Sequence, residues 1–307
     1  MTVVSLISFV LIAASGAAAD AHPTAVAHRA PSCGPHVSVL TPTSPDGAMA
    51  ASDAGMPKGA ALFAKAAAHH ATWRSALQCT AMRSRHERAA APSATKYSLN
   101  WSGYIAAATA PTYAQAEWGV PAVTSTGSGP AYSSIWPGIG GAGGTSGTLI
   151  QAGTEQDVTG GSQSTFFWIE VVPNDPYELR ISNLVPAVGD DVAAAVSWNN
   201  GTAYFTLCDY TQQSCVTAQQ TGVAAPGNSA EWVVERPTLG SGAVADLAGF
   251  GTVSLSNAYY GAGGTYYAAS AGGEATVMLN SSGNALAYPG AFTPAGAGFT
   301  DYWLSYN

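Results

Sequence analysis

A chain of 307 residues with only 9% charged side chains and a formal charge of −8 is long enough for one large domain or two. Eight of its ten Lys and Arg and all six His precede residue 97, whereas 14 of the 18 acids follow it, so residues 97–307 carry −12. Without His or Lys, that C-terminal part excludes a Ser-His-Asp triad, a Cys-His pair, a His-ligated zinc, a Schiff base and a P-loop, and its charge argues against nucleic acid.

At the N-terminus, the apolar run Val3 to Ala14 followed by Ala17-Ala18-Ala19 reads as a signal peptide, residues 1–19, cut after Ala19, with Ala21 a second position. Met1 to Ser5 lacks the usual Lys or Arg. The run is too short to span a bilayer comfortably and no later one does better, so a secreted, extracellular protein without a membrane anchor is expected.

Residues 20–96 are basic and rich in Ala, Pro and Ser. Ala60 to His70, then Trp73, Leu77 and Met82, have the pattern of short helices. Such a stretch buries little apolar area. It reads as a propeptide, partly helical or disordered, whose charge suits it to bind the acidic C-terminal part as an intramolecular inhibitor. A disordered basic linker is the alternative. Acid would neutralise the partner's carboxylates and weaken the attachment. The mature protein is expected to begin between Arg88 and Tyr97. Cys33 and Cys79 are positioned to pair within the propeptide.

Residues 97–307 read as β throughout, a dozen short alternating or aromatic runs separated by Gly, Asn, Ser and Pro. That pattern implies one large β-sandwich or barrel. Asn199-Asn200-Gly201 and Ser281-Ser282-Gly283 look like hairpin turns. Cys208 and Cys215 bracket a short turn, and an oxidising compartment makes a hairpin disulfide plausible. Phe299 to Asn307 is aromatic and expected to dock on the body.

Strand alternation sorts the unusual side chains. In Ala230 to Glu235, Glu231, Val233 and Glu235 face one way, Trp232 and Val234 the other. In Phe166 to Val171, Trp168 and Glu170 oppose Phe167, Ile169 and Val171. Gln151 faces with Gly153 and Glu155. Trp136 ends a strand before Pro137-Gly138-Ile139-Gly140-Gly141. One face lined by Trp, Gln and Glu would accept an extended polymer, peptide or glycan. The alternatives are solvated acids on an outer sheet face, an amide satisfied by neighbouring backbone at Gln151, and a core position for Trp136.

Taken in order, Asn100-Trp101-Ser102-Gly103-Tyr104, Trp136 to Gly141, Leu149-Ile150-Gln151-Ala152-Gly153, Trp168-Ile169-Glu170, Ala230 to Glu235 and Asp246 to Val253 resemble the glutamic peptidases of family G1, the eqolisins. The resemblance covers nearly all of 97–307. It implies an antiparallel, concanavalin-like β-sandwich of two seven-stranded sheets, a secreted proenzyme, and cleavage of proteins in acid. It implies Gln151 and Glu231 as the catalytic pair and Trp101, Trp136 and Trp168 as substrate-groove tryptophans. Glu155, Glu170 and Glu235 share that face and are further substrate-binding candidates. Two departures stand out: the fungal pattern has Asp where Gly140 and Glu155 stand, and the cysteines are arranged differently.

The residue types suit the reaction. A Glu231 carboxylate can take a proton from water that attacks the scissile carbonyl, then return it to the leaving nitrogen. Gln151 offers a carbonyl to hold the water and an NH2 for the oxyanion. A Glu near its reference pKa of about 4.3 can do both in acid, where His would stay charged. No metal or other cofactor is called for, and a monomer acting on protein or peptide substrates is expected. Two other readings remain: a glycosidase using paired carboxylates such as Glu170 and Glu231, and a non-catalytic sandwich that binds glycans or peptides.

Overall fold

The computed structural model describes residues 33–34, 36–40, 61–86, 97–126, 129–142 and 147–306. The expected signal peptide and the expected start of the mature protein lie outside them. The protein is all-β and mostly antiparallel, with Ala61–Ala68 the one α-helix among the described residues. No described helix is long and apolar enough to cross a membrane.

Two runs of antiparallel ladders make up the body. The first passes from Leu179–Ile181 to Ser162–Val172, Leu149–Thr159, Ala131–Ile139, Ser229–Glu235, Trp101–Ala107 and Gly273–Leu279. The second passes from Ser214–Thr221 to Thr202–Asp209, Asp191–Asn199, Pro111–Gly119, Thr252–Ala262, Phe299–Trp303 and Ala285–Pro289. Gly273–Leu279 also pairs with Ala285–Pro289, so the ladders link 19 strands into one network. Apolar side chains of both runs, among them Ile135, Ile150, Phe167, Val234, Val196 and Phe205, meet in one buried cluster.

The turn chemistry acts as the sequence implies. Asn200 and Gly201 have φ of 46° and 84° and join the paired residues Asn199 and Thr202. The Asn280–Asn284 turn connects two paired strands. Cys208–Cys215 and Cys33–Cys79 are both disulfides. Phe299–Trp303 docks as a strand on Thr252–Leu255. It was not among the runs that alternation marks as strands, and neither was Leu179–Ile181, which is only three residues long.

The N-terminal segment meets its helical expectation only in the Ala60–His70 stretch. Among the described residues only Ala61–Ala68 is helical, and Lys65 pins that helix through Glu117 at 2.8 Å and Asp191 at 2.7 Å. Elsewhere its described residues include short strands. Val37–Leu40 and Thr72–Trp73 pair with the edge strand Ser214–Thr221, and Cys79–Ala81 pairs with Leu179–Ile181. Ser84–Arg85 pairs with Thr238–Leu239. Edge strands carry unpaired N–H and C=O groups, and ladder bonds to them outweigh the helical preference of the local sequence, since short isolated helices are marginal.

Candidate active site

Register builds the site. Glu231 lies opposite Gly138, Gly138 opposite Gln151, and Gln151 opposite Glu170. Residues in register on adjacent strands project to the same face. One row therefore carries Glu231, Gly138, Gln151 and Glu170. Four residues along, a second row carries Glu235, Ser134, Glu155 and Phe166. Between them stand Val233 and Trp136 on one side and Gly153 and Trp168 on the other. All the candidates predicted for one face, including Trp101 opposite Glu235, come together there.

Two glycines shape this floor by having no side chain. A Cβ on Gly138 would come within 2.7 Å of the six-membered ring of Trp136, which lies over it between Glu231 and Gln151. A Cβ on Gly153 would meet the Ile135 carbonyl oxygen at 2.0 Å. Trp101 meets Trp136 edge-on at 4.9 Å between centroids. The indole of Trp136 donates to Glu235 Oε2 at 2.9 Å, and that of Trp168 donates to Ser134 Oγ at 2.9 Å. The tryptophans thus sit on the site face and are buried as well, so the two readings of Trp136 merge.

Glu231 and Glu235 are not solvated. All seven residues of Ser229–Glu235 are buried, because one face packs on the core and the other is covered. Glu231 Oε1 accepts from the Gly141 N–H at 3.0 Å. Gln151 Nε2 donates to Glu170 Oε2 at 3.0 Å. Glu231 Oε2 and Gln151 Oε1 are buried with no hydrogen-bond partner among the described residues. Gln151 is therefore not simply an amide satisfied by backbone. Burial pushes the Glu231 carboxyl up to about 7 against the hydrogen bonds it accepts, so in the covered chain it does not sit near the reference value expected of it.

The cover comes from the N-terminal segment. His86 is fully buried and its ring stacks on Trp168, 3.8 Å between centroids and 18° between planes. Its Nε2 lies 2.7 Å from Glu178 Oε2 and 3.3 Å from Glu155 Oε2, and its Nδ1 lies 3.2 Å from Glu235 Oε2. Its backbone N–H donates to Glu170 Oε2 at 2.9 Å, the same oxygen that Gln151 uses. Both ring nitrogens face carboxyl groups, a geometry that suits two donors, the imidazolium form. Burial works against that proton, but the charge of Glu235 and the bonds from Glu155, Glu178 and Glu235 raise His86 well above its ordinary value.

Glu155, Glu170 and Glu235 are raised too, chiefly by burial. Glu155 goes up further beside Glu178 and Asp157, while His86 partly offsets the rise at Glu155, Glu170 and Glu235. Groups that hold protons more tightly in the folded chain than in the unfolded one favour the folded state as pH falls.

His86, Glu155 and Glu178 are also of metal-ligand type, with candidate atoms within 4.8 Å of one another. The 2.7 Å contact from His86 to Glu178 is a hydrogen bond, shorter than the roughly 3.3 Å between two ligands on a tetrahedral zinc. Sequence reasoning missed both His86 and Glu178. The signal for His86 was an isolated His in the basic run Arg83 to Arg88, ahead of a part that has none. Glu178 lies in a Pro-containing turn before a three-residue strand and offered no signal.

Comparison with known proteins places this arrangement. The family model described as Peptidase A4 family matches residues 99–289. Among solved structures, a scytalido-glutamic peptidase with a transition state analog inhibitor is similar with a TM-score of 0.58 and 17% identity, covering 67% of this chain and 98% of that one. SCP-B, a member of the eqolisin family in a complex with the tripeptide Ala-Ile-His, gives 0.54 and 16%, covering 67% and 98%. The aspergilloglutamic peptidase from Aspergillus niger gives 0.50 and 27%, covering 57% and 99%. No curated protein sequence matches. The chain belongs to the Peptidase A4 family and is a glutamic endopeptidase of the eqolisin (G1) type.

Proposed function

We propose that the protein is a secreted acid endopeptidase in which Gln151 and Glu231 activate water without a metal. Residues 1–19 act as the signal peptide, 20–96 as an inhibitory propeptide, and 97–307 as the catalytic domain, a sandwich of two large sheets. The observation that carries this reading is the row Glu231, Gly138, Gln151. At about 4.8 Å per strand, the two Cα positions stand about 10 Å apart, with only the edge of the Trp136 ring over Gly138 between them. Each side chain also retains one buried oxygen without a protein partner. A water bridging those oxygens would satisfy both and lie where a nucleophile is needed. In the covered chain burial keeps Glu231 protonated in acid; with residues 20–96 gone, water reaches the site and returns its carboxyl toward the ordinary range. Glu231 then takes a proton as water attacks, the Gln151 NH2 donates to the oxyanion, and Glu231 returns the proton to the amine.

A glycosidase pair fits less well. Glu170 and Glu231 are three strands apart, about 14 Å between Cα positions, whereas such carboxyls stand roughly 5–10 Å apart. Gln151 lies between them and is bonded to Glu170.

Substitution tests the pair. After acid treatment of the full chain, Gln151→Ala is expected to lower kcat/KM on casein at pH 3–4 by about 10²–10³-fold, the usual loss of an oxyanion donor. Glu231→Gln is expected to abolish turnover, with circular dichroism unchanged in both and wild-type activity insensitive to pepstatin and EDTA. A correctly folded Glu231→Gln protein that still digests casein removes the assignment.

A further inference from the structure

We propose that the space bounded by Trp168, Glu155, Glu178 and Glu235 is a substrate subsite for a protonated imidazole side chain, and that His86 occupies it from within the chain. This rests on the peptidase reading above and adds a substrate class to it.

The segment around His86 lies as an extended peptide would. Met82 N donates to the Glu178 carbonyl at 3.1 Å, and Glu178 N donates to the Ser84 carbonyl at 3.2 Å. Strand addition of this kind draws affinity from main-chain bonds and selectivity from pockets for alternate side chains. The side chains do alternate. Met82 packs on the apolar cluster of Trp101, Trp136 and Trp168, Ser84 Oγ donates to Glu178 Oε1, and His86 fills the acidic pocket. Arg83 and Arg85, between them, are exposed.

The pocket matches the ring on every side. The Trp168 face takes a flat cation by stacking. Glu178 and Glu235 receive its two N–H groups at opposite edges. A Lys ammonium could not stack in this way. The pocket also adjoins the proposed pair, because Glu170 Oε2 accepts from both the His86 backbone and Gln151. Glu170 Oε1 is buried and has no partner among the described residues, leaving acceptor capacity at the junction. A substrate residue taking the same backbone bond would present its side chain to the same acids.

Two peptides that differ only in carrying Met-Arg-Ser-Arg-His or Met-Arg-Ser-Arg-Gln, digested at pH 4 by acid-treated full chain, test this. The His peptide is expected to have about tenfold higher kcat/KM, a charge-assisted preference that falls to within about twofold in Glu178→Gln. Equal cleavage of both peptides by the wild type overturns the subsite and leaves the peptidase reading standing. If neither peptide is cut, casein digestion by the same sample decides the peptidase reading by itself, and the pocket is judged by free imidazole added to full-length His86→Ala. A rise in Tm of that variant, absent in the wild type, supports the pocket, and no rise overturns it.

Discussion

At His86 one side chain closes several accounts at once: it neutralises part of a buried acidic cluster, covers an indole face, and holds a chain segment over Gln151. Removing one member of such a buried cluster leaves the others uncompensated, typically at a cost of about 3–5 kcal/mol. His86→Ala is therefore expected to lower the Tm of the full chain at pH 6–7 by several degrees and to increase hydrogen exchange over 79–86. An unchanged Tm with unchanged exchange would show that the backbone pairs alone hold the segment. The facing of Glu231, Glu235, Gln151, Glu155, Trp168 and Glu170 was legible in the sequence, because alternation along a strand is a local property. The partner that buries them was not. A single His in a low-apolar stretch carries no local mark of the distant acids it will meet.

At the level of elements, the site depends on which strand lies beside which. The order Ser229–Glu235, Ala131–Ile139, Leu149–Thr159, Ser162–Val172 brings together residues from 135 to 235, and only that register puts Gly138 between Glu231 and Gln151. A shift of one residue in any of these ladders would turn its acids toward the apolar core. Strand existence could be read from runs such as Leu149 to Gly153. Pairing order could not, because it is settled by contacts across long stretches of chain. The same reason explains the N-terminal segment. Its Ala content favours helix locally, yet from Thr72 onward its backbone groups find partners on the edges Ser214–Thr221 and Leu179–Ile181. Those edges are invisible in the composition of residues 20–96.

For the molecule as a whole, the buried acids set the response to pH. Burial first of all pushes Glu231, Asp157 and Asp301 up to about 7, and raises Glu155, Glu170 and Glu235. A carboxyl that binds its proton more tightly when folded adds stability that is complete below about pH 4 and is lost as pH rises through the folded value. His86, also raised, acts in the same direction: its share is complete below about pH 6.5 and is lost as pH climbs through its raised value. The full chain is thus expected to unfold at higher urea at pH 4 than at pH 7, Glu231 alone contributing on the order of 3 kcal/mol at most. The reverse order of midpoints would contradict these directions. On the function proposed above, the His86 contact holds in acid, the segment leaves by being cut, and the Gln151 and Glu231 pair is proposed as the agent. Mass spectrometry of wild-type and Glu231→Gln full chains held at pH 4 tests this most directly. The wild type is expected to lose its N-terminal segment at a bond between residues 86 and 97 and to gain casein-digesting activity, while Glu231→Gln stays whole and inert. Cleavage of the variant by itself at the same bond, with the same gain in activity, would contradict a Gln151 and Glu231 centre.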